Sequence, residues 1–150
     1  MAAKLLRDKI GYKPGHAVLL LDLPGGIADP FDGVEHTVAL AKKAKLGKQK
    51  FETVFAFAQD QAALAATAKA VLGSLADDAR VWLAYPKKSG KIATDLTRDA
   101  GWGPMFDAGW IVVAIVSIDE TWSAVRFRPK LLVNSIRYPK QGIPRREGLA

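Results

Sequence analysis

The segment from Phe51 to Tyr85 constrains the fold more than any other part of the chain. Phe51-Glu-Thr-Val-Phe-Ala-Phe57 is rich in β-branched and aromatic residues and reads as a strand. From Ala62 to Ala76, Leu64, Ala68, Val71, Leu72 and Leu75 fall on one helical face, and the alanine content favours helix. Asp60 stands where an N-cap belongs, and Asp77-Asp78 close the unit. Val81-Trp-Leu-Ala-Tyr85 then begins a second strand. Strand, helix and strand in that order form a βαβ unit, whose two strands run parallel. The expected fold is α/β: a single three-layer Rossmann-like domain. Its sheet is mainly parallel, with five or six strands, and ends in an antiparallel hairpin.

The flanking segments fill in that sheet. Leu5, Leu6 and Ile10 among charges suit a short amphipathic helix over residues 3–10, ended by Gly11 and the Pro14-Gly15 pair. His16-Ala-Val-Leu-Leu-Leu-Asp22 is a continuous apolar run, the pattern of a strand buried on both faces. Asp22-Leu-Pro-Gly-Gly26 reads as a tight turn after it. Residues 27–33 leave room for a turn or two of helix, and Thr37 to Leu40 for a short second strand. Thr94 is placed to cap a helix of about two turns, with Asp95 in its first turn. Gly101-Trp-Gly-Pro104 breaks that helix, and Met105 to Ala108 allow a further helical turn. Ile111 to Ile118 is the most hydrophobic strand, and Asp119-Glu-Thr121 turns it back into Trp122 to Arg128. Residues 1–128 therefore form the domain and 129–150 a basic, extended C-terminal arm. Leu131-Leu-Val133 and Ile136 are available to dock on a second subunit, a route to a homo-oligomer through the arm.

Composition narrows the chemistry. There is no cysteine, which excludes disulfides, thiolate zinc sites and cysteine nucleophiles. With only His16 and His36, a histidine-based metal site has almost no material, and none is expected. The charged N-terminus lacks a signal-peptide core, and the run Trp110 to Val116 is too short for a membrane span. A soluble, cytoplasmic protein without membrane contact is expected. The net charge of +7 is clustered at Lys42, Lys43, Lys45, Lys48 and Lys50, at Lys87, Lys88 and Lys91, and through the last quarter. Such patches suit a polyanionic partner, so nucleic acid binding through the basic arm is one expectation.

The strand-to-loop junction after Tyr85 is the foremost site candidate. Lys87, Lys88 and Lys91 lead to Thr94 at an expected helix start, where free amides and formal charge together favour a phosphate or carboxylate. Ser89-Gly90-Lys91 is not a Walker A motif, since its first glycine is missing and Ile92 replaces the magnesium-binding hydroxyl. Asp119 and Glu120 lie at the same expected sheet edge, although an aspartate in a turn commonly bonds turn amides. Asp22, Gly25, Asp95 and Trp102 complete the set of cleft candidates. The turn holding Asp22 and Gly25 carries no G-x-G-x-x-G fingerprint, and Pro24 removes a backbone donor. The serines lack a nucleophile-elbow context, so no catalytic residue is assigned.

Lys9 to Leu21, Tyr85-Pro-Lys-Lys88, Asp95-Leu-Thr-Arg-Asp99 with Gly101-Trp102, and Asp119-Glu-Thr-Trp-Ser123 with Arg126-Phe-Arg128 resemble a small bacterial family of unknown function. The resemblance spans residues 4–128 and implies no established activity. The order of elements is also similar to a class I methyltransferase domain. That resemblance implies S-adenosylmethionine, but the acidic-glycine motif after the first strand is absent, and no cofactor is expected. The function expected first is a Rossmann-like binding or interaction module with a lysine loop facing an anion or a phosphorylated ligand. A methyltransferase-like enzyme is the alternative.

Overall fold

The computed structural model describes residues 3–88, 90–98 and 100–135. Its chain order is α1 (Ala3–Ile10), β1 (Val18–Leu21), β2 (Thr37–Ala39), β3 (Phe51–Phe57), α2 (Gln61–Val71), β4 (Leu75–Pro86), α3 (Gly103–Asp107), β5 (Trp110–Ser117), β6 (Trp122–Pro129) and α4 (Lys130–Ser135). The six strands form one sheet in the order β2-β1-β3-β4-β6-β5. β1 pairs in parallel with β2 and β3, and β3 with β4. β6 runs antiparallel between β4 and β5. This is the α/β, Rossmann-like architecture expected, with its antiparallel hairpin at the end.

The apolar runs explain the layering. Successive strand residues point to opposite faces, so a strand with no polar alternation must be covered twice. On one face Leu19, Leu21, Val54, Ala56, Val81, Leu83 and Phe127 pack with Leu64, Ala68 and Val71 of α2 and Met105 of α3. On the other, Val18, Leu20, Phe55, Trp82 and Ala84 pack with Leu6 and Ile10 of α1 and with Phe31. The Trp82 indole N–H donates to the Ile10 carbonyl at 2.8 Å, which fastens α1 to the sheet. Asp60 caps α2 as expected, its carboxylate accepting from the Ala63 amide at 2.9 Å.

Five local expectations are corrected. Residues 27–33 form turns rather than a helix, with the Asp29 carboxylate accepting from the Phe31 amide at 2.8 Å. α2 ends at Val71 and passes through a 3-10 turn over Leu72–Ser74. Leu75 then joins β4 opposite Phe51, and Asp77 and Asp78 lie within that strand, Asp78 at φ +57. Strand pairing and Gly73 outweigh the propensity that would carry the helix on to Ala76.

No helix begins at Thr94. Its hydroxyl accepts from the Leu96 amide two residues on, a local bond that competes with helix. Asp95 turns outward to α2 instead: its carboxylate accepts from the Gln61 amide, and its carbonyl from the Gln61 side chain, both at 2.8 Å. Gly101, at φ +102, closes this loop where a Cβ would lie 2.6 Å from the Leu96 side chain. Trp102 is core rather than cleft lining, 1% exposed against Tyr85 and Phe127. The chain after Pro129 does not begin as an extended arm: α4 forms there, its Lys130 amide donates to the Gly109 carbonyl at 2.7 Å, and Val133 is buried. The basic arm from Ile136 onward, with the nucleic-acid and oligomer roles expected of it, lies outside the described residues. Among the described residues, no helix is long and apolar enough to cross a membrane.

Candidate functional site

The strand order fixes where a ligand cleft belongs. β1 connects to β2 on one side, whereas β3, on the other side of β1, leads away to β4. Chains leaving β1 and β3 therefore diverge, and the crevice outside their carboxyl ends is a topological switch point. A cleft of about 440 Å³ lies there, within the size range of small-molecule sites. Asp22 and Pro24 after β1, Leu40 to Lys43 after β2, Phe57 and Gln59 at the end of β3, Ala63 and Ala66 on α2, and Trp122 at the start of β6 line it.

The walls are mostly apolar. Phe57 and Trp122 meet edge to face, with ring centroids 5.2 Å apart. Against them stand four polar side chains: Asp22, Gln59, Lys42 and Lys43. Asp22 sits at φ +56 and both its carboxylate oxygens approach the Ala41 amide, at 3.2 and 3.3 Å. Its backbone amide also donates to the Ala39 carbonyl. Asp22 thus ties the end of β1 to the end of β2. Lys42 and Lys43 are exposed at the mouth, about 20 residues after Asp22, where dinucleotide folds keep an acid for a ribose diol or a base for a phosphate. Among the described residues, no nucleophile, histidine or second carboxylate joins these groups in the cleft. The arrangement is suited to binding an amphipathic anion. Among the described residues, no group of three or more His, Cys, Asp or Glu side chains could hold a metal ion.

Of the residues singled out in the sequence, Asp22 lines this cleft and Gly25 lies exposed in the same turn. The lysine loop is at the same edge of the sheet but differently organised. The Lys87 amide donates to the Thr121 carbonyl at 2.7 Å, and its ammonium to the Ser117 hydroxyl at 2.8 Å. Lys88 and Lys91 are exposed, and with no helix at Thr94 the loop has no helix amides to offer. Asp119 accepts from the Thr121 and Trp122 amides, both at 2.8 Å, so it holds the hairpin turn; Glu120 is exposed beside it. Among the other lining residues, Lys42 and Lys43 stood out in the sequence only as part of a basic cluster, and Leu40, Ala41, Phe57, Gln59, Ala63, Ala66 and Trp122 did not stand out as cleft residues. The spacing from Asp22 to Lys42-Lys43 was the one signal available for them.

The loop between Asp22 and β2 is pinned by His36. Its Nδ1–H donates to the Val34 carbonyl at 2.7 Å, and its Nε2 meets the Asp29 carboxylate at 2.8 Å. Two acceptors require two ring protons, so this geometry holds the imidazolium. Burial lowers the His36 pKa, but the Val34 bond and then the Asp29 bond and charge, with Asp32 adding, raise it above 6.5 overall. The stabilisation is complete below pH 6.5 and is lost as pH rises through the raised folded value. Urea unfolding should therefore show the wild-type advantage over His36→Ala shrinking as pH rises above 6.5; an advantage that does not change with pH would contradict it.

No family model matches the sequence, and no curated protein matches it. Solved structures resemble it in fold. An S-adenosylmethionine-dependent methyltransferase from Aquifex aeolicus superposes with a TM-score of 0.59 at 12% identity, covering 85% of this chain and 89% of that one. The glycopeptide N-methyltransferase MtfA in complex with S-adenosylmethionine gives 0.59 at 12% identity, covering 84% and 86%. A TehB-like methyltransferase from Corynebacterium glutamicum gives 0.53 at 9%, covering 87% and 89%. At such identities the likeness shows the fold alone, and that fold is the Rossmann-like α/β fold of class I methyltransferases.

Proposed function

We propose that this protein is a binding module of methyltransferase-like fold whose switch-point cleft takes an anionic, nucleotide-like small molecule. The observation that carries this reading is the Lys42-Lys43 pair at the mouth of an otherwise largely apolar cleft. A planar base or similar apolar group would lie against Phe57 and Trp122, and a phosphate would meet the lysines. The lysine loop lies next to Trp122 through the bond between Lys87 and Thr121, so a longer anionic tail would reach Lys87 and Lys88.

The fold neighbours favour a second reading, an S-adenosylmethionine-dependent enzyme. The residues present suit that cofactor less well. It carries a sulfonium and a ribose diol, whereas this cleft offers two lysines and one carboxylate, already engaged by the Ala41 amide. Calorimetric titration separates the readings: saturable heat with adenosine mono- or diphosphate and none with S-adenosylmethionine is expected. Heat with S-adenosylmethionine, competed by its demethylated product, would establish the second reading.

A further inference from the structure

A different group of side chains, away from the cleft, is unaccounted for by that reading. On β6, Arg126 and Arg128 alternate with Val125 and Phe127, and so share the face of Ala124 that packs in the α1 layer. On β4, Arg80 likewise shares the face of Trp82 and Ala84. Arg126 stands opposite Trp82 in the ladder. Val81 stands opposite Phe127, which makes Arg80 and Arg128 the next neighbours along the two strands. Three arginines thus stand together on one face of two adjacent strands, and the charges of Arg80 and Arg128 act on Arg126. Arg80 is six positions back from Pro86 along β4, on the order of 20 Å from the carboxyl edge.

Their partners do not balance them. Asp78 takes Arg128 in a two-point bond, Nε at 3.0 Å and Nη2 at 2.9 Å. The Arg126 Nε–H is buried with no hydrogen-bond partner among the described residues. Burial, then the charges of Arg80 and Arg128, push the Arg126 pKa down, and Asp78 only partly opposes them. Arg80 lies along Gly11, its Nη1 3.2 Å from where a Cβ would be. A buried donor without an acceptor is costly, and so is grouping like charges. A planar guanidinium fork matches the oxygens of a phosphate in geometry and in charge.

We infer that Arg80, Arg126 and Arg128 form a second anion site, on the α1 face of the sheet, that takes a phosphate group. Asp78 neutralises Arg128 and orients it, which leaves two positive charges for a phosphate dianion. The site is independent of the cleft and stands or falls separately from the proposed nucleotide reading.

The test is thermal unfolding with inorganic phosphate against sodium chloride at equal ionic strength, in a Lys42→Ala/Lys43→Ala background that removes the cleft's cations. Phosphate should raise the Tm saturably. Arg126→Met should weaken that response about tenfold or more. Without phosphate, its Tm should match or exceed that of the parent, because a buried donor without an acceptor has gone and the like charges around it are fewer. Arg80→Met, which leaves Arg126 in place, should also weaken the phosphate response and guards against a folding defect in the first variant. An equal rise with chloride, or an undiminished phosphate response in either variant, would overturn the proposal.

Discussion

Trp102→Ala should lower the free energy of unfolding by about 3–5 kcal/mol, the range for truncating a fully buried aromatic. The indole meets Tyr85 at a centroid distance of 5.5 Å and Phe127 at 5.6 Å, and its N–H donates to the Thr97 carbonyl at 2.7 Å. It therefore joins the loop after β4 to the α2 face of the sheet. Domains of this size are stable by only about 5–15 kcal/mol, so the loss should be a large share of the total. Urea denaturation followed by circular dichroism reads this directly. A loss below about 1 kcal/mol would instead suit an aromatic that merely edges a cleft.

The second large effect concerns ligand rather than fold. Lys42→Glu/Lys43→Glu should weaken binding of an adenosine nucleotide by a hundredfold or more, since each charge-assisted bond contributes about 1.5–3 kcal/mol. Both side chains are exposed, so stability should change little. Calorimetry on the two proteins gives the comparison, and circular dichroism verifies the fold. Equal affinities would remove the lysines from the site, whatever binds there.

The two effects differ in how far the sequence foretells them. The sheet was legible because its strands are written as uninterrupted apolar runs: Val18 to Leu21 and Val81 to Tyr85 can be satisfied only by cover on both faces. Asp60 was legible as a cap because its bond to Ala63 is local. Thr94 misled for a related reason. Its hydroxyl is equally able to bond two residues ahead, and Asp95 found a better partner 34 residues back, at Gln61. Trp102 misled because glycines on both sides suggest exposure, whereas Gly101 is there for its positive φ and close approach to Leu96.

The cleft was harder to read. Asp22, Lys42, Gln59, Ala66 and Trp122 lie in five separate segments, and only the strand order brings them together. Composition marks Lys42 and Lys43 as basic, but nothing in their neighbourhood says that β2 ends beside Asp22. The lysine loop drew attention because its charges are contiguous. Contiguity is a property of sequence, whereas a site is a property of topology.

Ligand binding at the switch point between β1 and β3 is the expected result. Amide chemical-shift mapping during titration of ¹⁵N-labelled protein with adenosine monophosphate tests it most directly. The shifts should concentrate at Asp22 to Gly26, Leu40 to Lys43, Gln59 to Ala66 and the Trp122 indole. Shifts that avoid these positions and cluster at Lys87, Lys88 and Lys91 would contradict it.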